Sequence, residues 1–346
     1  MAMMNAIAKT ERAKGLKLVQ VPVPEPGDNE VLIRICKTAI CGTDLHIYNW
    51  DEWSQNTLKP PVVIGHEYVG RIAKLGKNVK QYHEGQLVSG EGHIVCWHCR
   101  NCRAGNMQWC KHTKGVGVNR DGAFAEYVCI PATNVIEIDE DLNTDVVSFF
   151  DAFGNATHTA LMFDVVGEDV LVTGAGPIGI MGAAICKHNG ARSVTITDVN
   201  DYRLDLARKM GIDIVLNTSR DSLEGAMKAH KIVEGFDVGL EMSGNSHALQ
   251  QMLDNMRNGG EIAQLGIFGK GAQVDWNEIT FKGLTIKGVY GRKMFETWYK
   301  MQAMVQSGLD MSPIITHRFD YKDFEKAFEI MNTGNSGKII LNWSEI

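Results

Sequence analysis

Several features are missing from this chain, and each absence removes a class of function. No apolar stretch approaches the about 20 residues that a bilayer-spanning helix needs, so no transmembrane segment is expected. No run of like charge exceeds three residues, and no clustered basic stripe marks a nucleic-acid surface. The net charge is −6, from 35 Lys+Arg against 41 Asp+Glu. The first ten residues lack an apolar core followed by a small-residue cleavage site, so the expected compartment is the cytosol. Internal repeats and low-complexity segments are also lacking. What remains is 346 residues, 44% hydrophobic and 22% charged, with length enough for two domains.

Cysteine is present eight times, and its spacing says more than its number. Four lie close together as Cys96-x2-Cys99-x2-Cys102-x7-Cys110. Disulfides would need an oxidising compartment. The bacterial iron–sulfur run ends in x3 and a Cys-Pro, which this pattern lacks. A closed tetrahedral zinc site of structural type is the reading the spacing favours. Cys36, Cys129 and Cys186 read as small buried hydrophobes, and Met301, Met304 and Met311 as packing.

The chain changes style near Phe150. From Val21 to Pro131 short strand patterns are broken by Gly, Pro and Asn, as in Val31–Ile35, Tyr68–Ile72 and Gln86–Ser89. This predicts an irregular, mainly-β domain. Beyond Phe150, apolar runs alternate with helical patterns, the signature of βαβ units. Strands are expected at Val170–Thr173, Ser193–Thr197, Ile214–Leu216, Phe236–Glu241, Glu261–Leu265 and Leu284–Gly288, with Gly190, Gly211 and Gly259 ending the intervening helices. Six strands make a complete Rossmann sheet, so the tail, with a helix at Phe295–Gln306 and a strand at Lys338–Leu341, is assigned back to the first domain. The expected division is 1–150 with 295–346, and 151–294.

Val170–Thr173 runs directly into Gly174-Ala175-Gly176-Pro177-Ile178-Gly179, which opens a helical segment, and Asp198 closes the next strand. A lone G-x-G-x-x-G is weak evidence, but this strand–turn–helix context is what dinucleotide binding requires. Gly174 permits the turn, Gly176 lets the pyrophosphate approach, and Gly179 lets the helix pack on the sheet. Asp198 favours NAD over NADP, because a carboxylate accepts from both ribose hydroxyls and repels a 2′-phosphate. Arg203, close by, is either a neighbour of that phosphate position or part of a solvated helix face.

Two further segments place metal-ligating types far apart: Cys41-Gly42-Thr43-Asp44-Leu45-His46 and Gly65-His66-Glu67-Tyr68-Val69-Gly70, with Gly76 and Val79 following. Alone, one Cys and one His are usually core residues. Beside a nucleotide fold and a four-cysteine lobe they read as part of an open zinc site. The Gly65–Val79 pattern resembles the zinc signature of the medium-chain alcohol dehydrogenases, and Cys41–Asp44 resembles that family's first ligand motif. Alcohol dehydrogenase is itself the standard example of a catalytic zinc held by two cysteines and a histidine. Within the superfamily the resemblance narrows to the branch that oxidises L-threonine. It is carried by Cys41–Trp53, Ser89–His93, Gly115–Arg120 and Gly291–Tyr299, and it spans about Met4 to Trp343.

The resemblance implies an α/β Rossmann domain plus a GroES-like catalytic domain, NAD, and two zinc ions per subunit in a homotetramer. It implies Cys41, His66 and Glu67 as catalytic-zinc ligands, with Asp151 either a fourth, exchangeable ligand or a group behind them. The family has proline after that carboxylate where this chain has Ala152, which implies a less rigid loop. Thr43 and His46 would relay the hydroxyl proton to solvent. Leu265, Gly266, Ile267, Val289 and Tyr290 would line the nicotinamide end. His93, Asp51 and Glu52 are candidates for the substrate's carboxylate and ammonium, or ordinary loop residues. The alternatives are a zinc polyol or simple alcohol dehydrogenase, and a non-catalytic nucleotide-binding relative.

Overall fold

A computed structural model describes residues 2–345. In chain order the elements that build the site are β1 (Glu30–Ala39), α1 (Gly42–Asn49), α2 (Glu52–Thr57), β2 (Tyr68–Leu75), β3 (Leu87–Gly90) and α3 (Phe150–Ala160). Then come β4 (Asp169–Thr173), α4 (Pro177–His188), β5 (Ser193–Asp198), β6 (Ile214–Asn217), β7 (Phe236–Glu241), β8 (Met256–Gln264) and β9 (Thr285–Gly288). The chain closes with α5 (Glu296–Gln306), β10 (Ile315–Asp320) and β11 (Lys338–Asn342). Among the described residues no helix is long and apolar enough to cross a membrane.

The chain divides into two compact units. One comprises the residues up to Ala152, Met294–Gln306, and those from Ile315 on; the other comprises Phe153–Lys293 and Ser307–Ile314.

The first unit is built on a mixed sheet in which β3, β2, β1, β11 and β10 lie side by side. β11 pairs antiparallel with β1, Ile340 opposite Ala39, so the end of the chain lies beside the strand that delivers Cys41. Its core is Ile33, Ile35, Tyr68, Val88, Phe124, Phe328 and their neighbours. Two short helices, α1 and α2, interrupt the β pattern that the sequence predicts for this stretch. They are joined by Trp50 at φ 56°, a left-handed turn that folds α2 back on α1.

The second unit is one parallel sheet in the order β6-β5-β4-β7-β8-β9. Numbered by succession this is 3-2-1-4-5-6, the doubly wound dinucleotide-binding order. β4 is buried at every residue and β5 at its four central ones, as sheets covered on both faces require; this is why their sequences read as unbroken apolar runs. Gly190 and Gly211, at φ 97° and 77°, follow helix ends as expected. Gly259 does not. The helix before it stops at Asn255, and Gly259 stands inside β8 at φ 74°, where the register against β7 shifts.

The tail departs from expectation in two places. Residues 307–314 pack with the Rossmann unit, held by a His188 Nε2 to Ser307 Oγ contact of 3.0 Å and by buried Met311 and Ile314. A further helix, Phe324–Asn332, also precedes β11; its apolar stripe of Phe324, Ala327 and Phe328 completes the first unit's core.

Candidate metal and nucleotide sites

The four cysteines of the lobe converge. Their sulfurs all lie within 4.8 Å of one another, with Cys99 to Cys102 at 3.5 Å and Cys96 to Cys110 at 3.6 Å. A tetrahedron with zinc–sulfur bonds of about 2.3 Å has edges of roughly 3.8 Å, so the spacing fits a single ion. Backbone N–H groups of Cys96, Cys99 and His112 point at these sulfurs from 3.3–3.4 Å. Such donors favour thiolate. The Cys99 thiol is lowered to about 6, chiefly by backbone N–H groups, while burial pushes Cys102 up to about 12.

The second cluster assembles from two places in the first unit. Cys41 leads into α1, and His66 and Glu67 immediately precede β2; one ligand atom from each lies within 4.8 Å of the others. Gly65 before them is at φ 88°, and a Cβ there would stand 2.0 Å from the Phe124 ring. Thr43 Oγ1 is 3.8 Å from Cys41 Sγ. Asp44 turns back: its Oδ2 accepts from the Cys41 N–H at 2.9 Å, and its Oδ1 lies 3.9 Å from His66 Nδ1.

Glu67 is buried, and its two oxygens differ. Oε2 accepts from Lys338 Nζ at 2.5 Å, while Oε1 has no hydrogen-bond partner. Lys338, also buried, donates to the Ile40 carbonyl at 2.9 Å as well. Asp151 lies outside the 4.8 Å group, and the structure places it in the first turn of α3. The loop expected there is a helix, in which Ala152 is a favourable residue. A Cβ on Gly92 would approach Asp151 Oδ1 and His66 Cβ at 3.5 Å, so the Glu91–His93 segment runs alongside the cluster.

The electrostatics call for a cation. Burial alone would lower the His66 imidazole, but Cys41, Asp44 and Asp151 around it hold it well above its ordinary value. Burial pushes Asp44 and Glu67 up, against the pull of His66 and Lys338 respectively. A cysteine, a histidine and three carboxyl groups drawn close together, with Asp44 Oδ1 and Glu67 Oε1 both buried without a hydrogen-bond partner, fit a bound divalent ion. The soft sulfur and imidazole donors select zinc over calcium or magnesium.

The remaining first-unit candidates are arranged as follows. His46 is exposed, with Nδ1 2.5 Å from Asp51 Oδ2. Both Asp51 oxygens are engaged, because Oδ1 accepts from the Ser54 N–H at 3.0 Å. His93 is half-buried, and its Nδ1 and N–H both meet Oε1 of buried Glu91, whose Oε2 accepts from Trp298 Nε1 at 3.1 Å.

In the Rossmann unit the glycine turn behaves as its spacing predicts. Gly174 is at φ 93°, and a Cβ on Gly179 would lie 1.9 Å from the Gly174 carbonyl oxygen. Gly176 instead meets nothing within 4 Å, so the protein itself does not demand a glycine there. The free space stands at the N-terminus of α4, where a pyrophosphate is favoured, and Ile178 begins the helix behind Pro177. Asp198 accepts from the Ala175 N–H at 2.8 Å and from Val199 and Asn200 at 2.7 and 2.9 Å. Arg203 Nη1 lies 3.8 Å from its Oδ2. Val289 is tied by its N–H to the Gln264 carbonyl at 2.8 Å, beside Leu265 and Gly266, while Ile267 and Tyr290 are exposed.

Sequence reasoning missed two buried residues. Lys338 is separated from Glu67 by most of the chain, and no local pattern marks it. Glu241, at the end of β7, accepts from the Ser243 and Gly244 N–H groups at 2.9 and 3.1 Å and shapes the loop facing Gly174. Its position, at the carboxyl end of the strand beside the glycine turn, is the signal that could have found it.

A six-stranded 3-2-1-4-5-6 sheet with a glycine turn, one closed thiolate cluster and one open mixed cluster together define a zinc-binding nucleotide-dependent dehydrogenase. The comparisons with known proteins agree. Residues 27–140 match the family described as alcohol dehydrogenase GroES-like domain, and residues 177–307 match zinc-binding dehydrogenase. The chain belongs to this zinc-binding, medium-chain alcohol dehydrogenase family. It is 60% identical over 340 residues to an L-threonine 3-dehydrogenase of Shewanella sp. (strain ANA-3), covering 98% of this chain and all of that one. The L-threonine 3-dehydrogenase of Shewanella oneidensis is 59% identical over the same coverage. An Escherichia coli CFT073 alcohol dehydrogenase solved with NADH superposes with a TM-score of 0.91 at 25% identity, over 99% of this chain and all of that one. The 2R,3R-butanediol dehydrogenase of Bacillus subtilis, at 22% identity over 99% of this chain and all of that one, shares the fold with a TM-score of 0.89.

Proposed function

We propose that this protein oxidises the side-chain hydroxyl of L-threonine at its β-carbon, giving L-2-amino-3-oxobutanoate while a hydride passes to NAD+. The observation that carries the reading is the Cys41–His66–Glu67 cluster, in a chain about 60% identical throughout to proteins named L-threonine 3-dehydrogenase. Zinc, when bound, supplies the Lewis acidity that makes the substrate hydroxyl easier to deprotonate, and NAD+ supplies the hydride acceptor.

The chain's own residues do the rest. Cys41, His66 and Glu67 hold the catalytic metal, and Cys96, Cys99, Cys102 and Cys110 hold the structural one. Asp151, set just behind the cluster, adds negative charge and serves as an exchangeable ligand. Thr43 accepts the hydroxyl proton and hands its own to His46, which delivers a proton to solvent. His93, its ring anchored on Glu91, is our candidate for the substrate carboxylate. Gly174, Gly176, Ile178 and Gly179 cradle the pyrophosphate, and Asp198 accepts from the adenosine ribose. Asp198 favours NAD over NADP, and Arg203 beside that carboxylate works against the preference without reversing it. Leu265, Gly266, Ile267, Val289 and Tyr290 receive the nicotinamide end.

We assign the protein to the cytosol, where a thiolate cluster stays reduced. We also assign it to a homotetramer. The outer edge of β9 is unpaired among the described residues, with Trp276 and Phe281 exposed nearby at 73% and 83%, which suits contact with a second copy.

The test is NADH formation with L-threonine, sorbitol and 2,3-butanediol, alongside a Cys41→Ser variant and a zinc-chelated sample. Turnover on threonine that collapses in both controls is expected. Zinc-dependent turnover on a polyol with none on threonine would keep the chemistry and overturn the substrate.

A further inference from the structure

His46 ends the proton path proposed above, yet its side chain is 61% exposed, and an exposed imidazole shares its proton between two ring nitrogens. Something must choose the tautomer. We propose that Asp51 is a positioning residue for His46: its carboxylate holds the proton on Nδ1, so that Nε2 is the nitrogen free to accept. This inference rests on the reading of His46 as the terminal proton acceptor.

Three observations carry it. Asp51 Oδ2 lies 2.5 Å from His46 Nδ1, within direct hydrogen-bond reach. The other oxygen, Oδ1, caps α2 through the Ser54 N–H at 3.0 Å, so the carboxylate is anchored to a backbone it helps to order. The Trp53 ring, in the first turn of α2, meets the imidazole edge-on at 6.2 Å and 61°. One short helix thus supplies both the acceptor and the wall.

The turn that brings α2 there is itself fixed. Trp50 adopts φ 56°, Gln55 Nε2 donates to its carbonyl at 2.9 Å, and Lys9 Nζ lies 5.0 Å over its ring while donating to the Gly15 carbonyl at 2.9 Å. Asp51 is also ionised at neutral pH. Burial raises its carboxyl, but the Ser54 and His46 bonds outweigh this and hold it below the usual range. An ionised carboxylate can only accept, so Nδ1 must donate.

The protons balance. The substrate hydroxyl proton goes to Thr43 Oγ1, the Thr43 hydroxyl proton goes to His46 Nε2, and the imidazolium releases that proton to water. Nδ1–H stays with Asp51 throughout, and the hydride leaves the carbon separately for the nicotinamide.

Asparagine caps a helix as well as aspartate does, so Asp51→Asn keeps the bond to Ser54 while an NH2 donor replaces the carboxylate acceptor that faces His46 Nδ1. The zinc-loaded enzyme, its Asp51→Asn variant and a His46→Asn variant would be compared with L-threonine and NAD+. For Asp51→Asn we expect kcat to fall about tenfold with both KM values within about twofold. Nitrogen-15 spectra of histidine-labelled protein, with His46 assigned by its loss in His46→Asn, should show the Nδ1–H tautomer in the wild type and loss of that preference in Asp51→Asn. Wild-type kcat and an unchanged tautomer signal in Asp51→Asn, with His46→Asn impaired, would reduce Asp51 to a helix cap. Full activity in His46→Asn would instead overturn the relay reading beneath the inference.

Discussion

The two metal clusters of this protein are opposites. The lobe takes four like donors from fifteen consecutive residues and arranges them around one point, with little besides backbone N–H groups for support. The other cluster takes three unlike donors from two segments and is surrounded by buried Asp44, Asp151 and Lys338. A closed thiolate set leaves no position for substrate, so it can only hold structure. A mixed set with a carboxylate tied to a lysine leaves room for exchange, and exchange is what chemistry needs. The contrast is between a site built by local spacing and a site built by the fold.

The largest effect expected is one that separates the two. Cys41→Ser should lower kcat/KM by more than about a thousandfold, while thermal unfolding stays within a few degrees of wild type. Cys102→Ser should do the reverse, lowering the unfolding temperature by roughly 10 °C while the molecules still folded turn over. Calorimetry and rates on the same samples decide it; equal stability loss in both would erase the distinction.

Next in size is Lys338→Met, which leaves Glu67 buried without its cation and should cost about 3–5 kcal/mol in denaturant unfolding. Adding Glu67→Gln should recover most of that loss. Additive costs in the double variant would show that the pair is not coupled. A smaller effect concerns the nucleotide. Asp198→Ala removes a charged acceptor and should raise KM for NAD+ by roughly tenfold or more, leaving KM for threonine unchanged in steady-state rates.

The smallest effect sharpens the picture of the first unit's sheet. Asp145 is bound by Lys37 at 2.5 Å and Arg318 at 2.6 Å, linking β1 to β10. Burial would raise its carboxyl, but these two cations lower it below the ordinary value. A depressed folded-state carboxyl contributes stability that is complete above about pH 4 and is lost as pH falls through the folded value. Asp145→Asn should therefore narrow its stability deficit against wild type below about pH 4, seen in thermal melts across pH. A deficit that stays constant down to pH 2 would remove the ion pairs from the account.

Legibility followed distance along the chain. The Rossmann half was readable because each βαβ unit repeats one local pattern: an apolar run, a helix period and a glycine stop. The exception, Gly259, failed because a glycine after a helix and a glycine at a strand irregularity look alike without the partner strand. In the first unit α1 and α2 were not readable, since fourteen residues of short helix have too little periodicity to stand out among strands. The setting of Asp151 was misjudged, because a carboxylate beside Ala152 suits a helix as well as a loop.

By itself the sequence determined the chemistry available: four spaced thiols, a Cys and a His-Glu in ligand motifs, and a glycine turn between strand and helix. Those depend on residue type and short spacing, which no folding alters. Only the tertiary structure decided which groups share a pocket. It paired Glu67 with Lys338, turned Asp44 towards His66 and gave Asp51 to His46. The reason is physical: a buried charge must find a partner wherever the fold brings one, and that partner's place in the sequence is set by strand pairing and helix return.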